Sequence, residues 1–212
     1  MFANRHDAGR QLAAALESVV DARALVLGLP RGGVIVAAIV ARQQGGELDV
    51  VLVKKLRAPG NPELALGAIA EDGKVYLNDE VVGLTGASES YLAAERAERL
   101  REIHAQAAAY RAVRPRVPVT GRRVVLVDDG LATGATMIAA IQCTVLAKPE
   151  RLIVAVPVSP PETARTIARL KGVDQFICLE TPAWFRGVGQ FYRDFEQVPD
   201  EEVIRLLASP DA

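Results

Sequence analysis

The sequence predicts an α/β fold built on a mostly parallel, five-stranded sheet flanked by helices. Three observations predict it. Short apolar runs recur at residues 24–27, 49–53, 124–127, 152–156 and 175–179, with helix-like stretches between them. The runs at 124–127 and 152–156 carry no polar alternation, which suits strands covered on both faces. The segments after the runs are rich in Gly, small residues and charge. Loops that follow parallel strands gather on one edge of the sheet, where ligands bind.

Composition narrows the class. Of 212 residues, half are hydrophobic and 24% charged, with a net charge of −1. That is a globular composition, and it lacks the basic excess of a nucleic-acid binder. The longest apolar run, 34–41, is far too short to span a bilayer, and no signal-peptide core opens the chain. Neither nucleic acid nor membrane is an expected partner, and the cytoplasm is the expected location. Cys143 and Cys178 have no partner at motif spacing and read as free thiols. His6 and His104 lie far apart, which argues against a zinc site.

In chain order, 7–20 reads as an amphipathic helix with Leu12, Ala15, Leu16 and Val19 on one face. The strand at 24–27 runs into Gly28-Leu29-Pro30-Arg31-Gly32-Gly33, then a helix over 34–43 stopped by Gly45-Gly46. The strand at 49–53 ends at Lys54-Lys55. The stretch 56–86 is rich in Gly, Pro and Asn, and Glu71-Asp72-Gly73 predicts a hairpin between 67–70 and 74–77. Ser88 is placed to cap a charged helix over 89–111. That helix reads as a solvated face packed by one stripe, with a contact to a second copy as the alternative; a homodimer is the expected assembly. Residues 114–118 break it. Further on, a helix is expected over 137–147. Ser159-Pro160-Pro161-Glu162 reads as the start of another, running to about 170, with Ser159 at the cap. The tail over 180–195 is aromatic and irregular, and 200–208 is a last short helix.

The most informative stretch is 123–137: Arg-Val-Val-Leu-Val-Asp-Asp-Gly-Leu-Ala-Thr-Gly-Ala-Thr-Met. A buried strand delivers two carboxylates, Asp128 and Asp129. A turn of small residues then leads into a helix. Inward-turned N–H groups and a helix N-terminus favour a phosphate there. Paired acids at a strand end suit hydroxyl groups or a hydrated Mg²⁺. This stretch resembles the phosphoribosyl pyrophosphate (PRPP) signature of the type I phosphoribosyltransferase family: a hydrophobic strand, two acids, a short spacer and Thr-Gly-x-Thr. It is similar to stand-alone bacterial members of that family without an assigned substrate.

The resemblance implies transfer of a phosphoribosyl group from PRPP to a nitrogen acceptor, with Mg²⁺ and release of pyrophosphate. It implies Asp128 and Asp129 as the catalytic acids toward the ribose hydroxyls, either of them a contact for Mg²⁺ that arrives with PRPP. The 5′-phosphate falls to Ala132, Thr133, Gly134, Ala135 and Thr136. The pyrophosphate falls to Pro30, Arg31, Gly32 and Gly33, and to Lys54, Lys55 and Arg57 after the second strand. The segment following those cations resembles the family's flexible loop. One domain over 1–212 is expected, with a core at about 21–180, a hood from about 1–20 and 180–212, and an insertion at about 56–114. In the hood, Trp184 and Phe185 are the candidates for stacking on a flat acceptor, with packing in the hood core as the alternative; Phe191, Tyr192 and Phe195 read as core.

Ala132 departs from the hypoxanthine–guanine branch, which carries an acid before Thr-Gly, so no acceptor is assigned. A P-loop is excluded because Val34 and Ile35 follow the glycines in place of Lys and Ser/Thr. Neither a dinucleotide fingerprint nor a nucleophile elbow occurs. A non-catalytic sensor of PRPP or a nucleotide, on the same fold, is the alternative.

Overall fold

The computed structural model describes residues 1–20 and 23–209. The expected hood–core boundary at residue 21 lies outside them. Five parallel strands form the main sheet: β1 (Leu25–Gly28), β2 (Glu47–Val50), β6 (Arg123–Val127), β7 (Arg151–Val158) and β8 (Gln175–Glu180), in the order β2-β1-β6-β7-β8. A second, antiparallel sheet holds β3 (Val53–Ala58), β4 (Asn61–Ala70) and β5 (Val75–Leu77).

Alternation along β6 explains the two-sided core. Val124 and Leu126 pack with Met137, Ala140 and Ile141 of α5 (Ala135–Leu146). Val125 and Val127 pack on the other face, in the cluster that holds Val34, Ala37 and Val40 of α2 (Gly32–Gln44). The chain therefore leaves β1 toward β2 over one face and leaves β6 toward β7 over the other. Such a reversal between neighbouring strands opens a crevice at their carboxyl ends. Gly28 pairs with Val127 across that point.

Several boundaries differ from the expectation for physical reasons. Helix α1 (Arg5–Leu16) starts earlier than residue 7, because Asn4 Oδ1 accepts the Asp7 N–H at 3.0 Å. The single strand expected at 49–53 is two strands. The chain leaves the parallel sheet after Val50 and enters β3, so Lys54 and Lys55 lie inside a strand and not in a loop after one. The segment read as a flexible loop is the β3–β4 hairpin, turned at Pro59-Gly60 with Gly60 at φ +70°. The hairpin expected around Asp72-Gly73 joins β4 to β5.

Ser159 is not a helix cap. Its N–H donates to the Glu180 carbonyl, which continues the β7–β8 edge, and α6 (Pro161–Ala168) starts from Pro160 instead. Ser88 does cap α4 (Glu89–Val113), accepting the Tyr91 N–H at 3.2 Å; a short helix α3 (Asp79–Thr85) precedes it. The chain ends with α7 (Asp200–Leu207). Phe2 bridges to Tyr192, and an aromatic cluster of Phe2, Phe185, Phe191, Tyr192 and Phe195 joins the two chain ends.

Candidate active site

The loop after β1 and the loop after β6 touch because their strands are neighbours. The Leu29 N–H donates to the Val127 carbonyl at 2.9 Å, and the Pro30–Arg31 peptide is cis. The contact closes on two glycines. A Cβ on Gly32 would lie 1.9 Å from Asp129 Oδ2, and a Cβ on Gly33 would lie 2.8 Å from Asp128 Cα. Only glycine lets the backbone of one loop rest on the carboxylates of the other.

The two acids have different surroundings. Asp128 is half-buried, and its Oδ1 accepts the Asp129 N–H at 2.8 Å. Burial, then the charge of Asp129, holds its carboxyl well above the ordinary carboxylate range. Asp129 accepts from Arg5 Nε at 2.6 Å, with side chains only 14% and 11% exposed. The same guanidinium donates to the Glu196 carbonyl at 2.8 Å and stacks 3.8 Å from the centre of the Phe195 ring. The Tyr192 hydroxyl donates to the Asp129 carbonyl at 2.5 Å. Burial, with the neighbouring carboxylates, pushes that phenol upward.

After the acids the chain turns through Ala132 and Thr133 to Gly134, which stands at the N-cap of α5 with φ +73°. Ala132, Thr133 and Thr136 are exposed, and Ala135 is half-buried. Thr163 Oγ1 donates to the Ala132 carbonyl at 2.8 Å and fixes the turn from outside. The first N–H groups of a helix have no intrahelical partner, so this turn is equipped to hold an anion.

Beside it opens a cleft of about 250 Å³ lined by Pro30, Lys54, Lys55, Arg57, Arg99, Gln106 and Thr136, among others. It brings expected residues from three segments together, and no carboxylate lines it. Strand alternation splits the cations. Lys54 faces α4 and lies 3.8 Å from Glu102. The Lys55 ammonium, on the opposite face, has no hydrogen-bonding or ionic partner among the described residues, and the side chain also borders a pocket with Ala135, Ile138 and Gln142 of α5. Asp128, Asp129, Arg31, Gly32 and Gly33 do not line the cleft. Arg31 turns its guanidinium toward Asp200, at 3.7 Å, and Asp200 also accepts from the Tyr110 hydroxyl.

Trp184 is 89% exposed, whereas Phe185 packs on Phe191 with ring centres 5.2 Å apart. Sequence reasoning passed over Arg5, Arg99, Gln106 and Asp200. For Arg99 a signal existed: it falls on the apolar stripe of α4 with Leu92, Ile103 and Tyr110. For Arg5 and Asp200 no local pattern marks the pairing.

The chain belongs to the phosphoribosyl transferase domain family, whose model matches residues 4–196. Two Mycobacterium tuberculosis proteins, MT0597 and Rv0571c, each provisionally named a phosphoribosyl transferase, are 46% identical over 208 residues, 98% of this chain. The matched region is 46% of each relative, so the chain spans about half the length of the curated relatives it matches. The crystal structure of TT1426 from Thermus thermophilus is similar at a TM-score of 0.89 and 46% identity, covering 98% of this chain and 97% of that one.

Proposed function

We propose that this chain transfers the 5-phosphoribosyl group of PRPP to a nitrogen acceptor and releases pyrophosphate. The observation that carries the reading is the meeting of the two loops, Gly32 on Asp129 and Gly33 on Asp128, beside a cleft whose charged residues are all cationic. The helix α5 turn, Ala132 to Thr136, suits the 5′-phosphate. The acids suit the ribose hydroxyls. Pro30, Lys54, Lys55 and Arg57 suit the pyrophosphate, with Arg31 joining them if PRPP draws it from Asp200.

Displacement at C1 of the ribose builds positive charge on the sugar and negative charge on the leaving group. The residues act by holding the two ends and neutralising the pyrophosphate as it departs. Among the described residues no group of three or more His, Cys, Asp or Glu gathers to hold a metal ion. Mg²⁺ bound through substrate phosphates needs only one or two carboxylates, and the adjacent oxygens of Asp128 and Asp129 fit that donor set. Bound there, the ion would supply charge neutralisation on the pyrophosphate.

The acceptor would be a flat, nucleobase-like amine read by the chain-end segment. Exposed Trp184 is the better stacking candidate, since Phe185 is committed to Phe191. We also propose a single domain whose two ends form the hood, a homodimeric assembly and a cytoplasmic location. No helix among the described residues is long and apolar enough to cross a membrane.

The test is pyrophosphate release from PRPP and Mg²⁺ across a panel of nucleobases and amines. One acceptor should give release that Asp128→Asn and Asp129→Asn abolish. PRPP binding without turnover for any acceptor would favour a sensor. No PRPP binding would overturn both readings.

A further inference from the structure

We propose that helix α4 is part of the donor site, with Arg99 a pyrophosphate-binding residue and Gln106 beside it. This rests on the PRPP reading above and adds a wall to the site that the motifs do not supply.

Arg99 is only 6% exposed, yet it lines the cleft with Lys54, Lys55 and Arg57. Its ionic partners do not account for its burial. Glu95 lies 3.2 Å from Nε, and Glu102 accepts from Nη1; both belong to α4 itself, one turn before and one turn after. Pairs within one helix tie it to nothing else and add little even where they form well. The Nε makes no hydrogen bond despite its burial. Removing a guanidinium from water is costly unless its donors are satisfied.

Arg111, on the same helix, shows what a structural arginine does here. It holds Glu71 through Nε and Nη2, each at 2.7 Å, and Asp49 through Nη1 at 2.6 Å, joining α4 to both sheets. Arg99 makes no such link.

The two glutamates complete the arrangement from behind. Glu95 also accepts the Arg57 N–H at 3.1 Å, and Glu102 lies 3.8 Å from Lys54 Nζ. They hold the cations in place while the open side of the cleft carries positive charge alone. A diphosphate has the charge and the paired oxygens that a planar guanidinium fork and three flanking cations would recognise.

The experiment is calorimetric titration of the full chain with pyrophosphate and with PRPP, each with Mg²⁺, for wild type, R99M, R99K and R101M. R101M removes the same charge from the exposed side of the helix, where the side chain is 71% accessible. R99M should weaken pyrophosphate binding roughly ten-fold or more, R99K about three-fold, and R101M less than about two-fold. R99M should also lower the melting temperature, since Glu95, with a side chain 12% exposed, loses its cation, so affinities are compared on protein shown to be folded by circular dichroism. Wild-type affinity in folded R99M, or equal losses in R99M and R101M, would overturn the proposal. Should R99M fail to fold, R99K decides, and unchanged affinity there would overturn it. A wild-type chain that binds neither ligand removes the PRPP reading itself, an outcome distinct from the failure of Arg99 alone.

Discussion

Arg5 Nε and Asp129 Oδ2 lie 2.6 Å apart across 124 positions of sequence. The pair joins the first helix to the second acid of the motif, and both side chains are largely buried. Arg5→Met should leave a buried carboxylate unpaired and cost about 3 kcal/mol. For a chain of this size that is a fall of about 6–12 °C in melting temperature. Adding Asp129→Leu should recover most of the loss. Two additive losses by thermal denaturation would show that the pair is not coupled.

The contact of Gly32 with Asp129 makes a sharper demand. Gly32→Ala sets a methyl group 1.9 Å from a carboxylate oxygen and 2.8 Å from Arg5 Nε, so the Asp129 side chain and its ion pair must shift. PRPP binding should drop by more than about ten-fold, with a stability loss of about 1–3 kcal/mol. Gly83→Ala is the control. Nothing lies within 4 Å of its Cβ, and inside α3 it should stabilise by about 0.5–1 kcal/mol.

Asp128 gives a pH signature. Its folded pKa lies above the unfolded value of 3.8, so the folded chain holds the proton more tightly than the unfolded one. Stability from this group is therefore greatest below pH 3.8 and is lost as pH rises through the folded pKa. Asp128→Asn should raise the melting temperature at pH 8, by about 2–4 °C for each kcal/mol relieved. The advantage should shrink steadily toward pH 4. A pH-independent difference between the two melting curves would remove the account.

Lys54 and Lys55 should separate kinetically. Lys54 already has Glu102 beside it, while the Lys55 ammonium has no partner among the described residues. With an acceptor in hand, Lys55→Met should raise KM for PRPP by about ten-fold or more and Lys54→Met by less than about three-fold. The reverse order in steady-state assays would count against the assignment of the two faces of β3.

Neither thiol should react in the native chain. Burial pushes Cys143 up to about 12 and Cys178 up to about 11. A thiol reagent at pH 8 should titrate both only after denaturation.

The parts of this fold legible in the sequence are those written locally. The run 124–127 suited a strand covered on both faces, and β6 is one. A loop leaving the end of a parallel strand lies at the ligand edge, so Asp128, Asp129 and Gly32-Gly33 could be placed together. Lys54-Lys55 was half legible. Their charge pointed to the cleft, but the departure of the chain into a second sheet after Val50 depends on pairing with 61–70, which no local pattern announces. Ser159 followed a cap pattern that its bond to Glu180 overrides. Arg5 and Asp200 were illegible because their partners come from distant positions. Arg99 was legible only as a charge out of place on an apolar stripe.

Residues from both ends of the chain converge on one aspartate: Arg5 on its carboxylate and Tyr192 on its carbonyl. During synthesis, Arg5 emerges 124 residues before its partner Asp129. The parallel sheet can close once β8 has emerged, yet Asp129 acquires its full set of contacts only after residue 196 is free, when the Glu196 carbonyl reaches Arg5. Domains generally fold as units as they emerge. A nascent chain would therefore carry a formed sheet before it carries a finished site, and substrate could be engaged fully only after residue 196 has emerged.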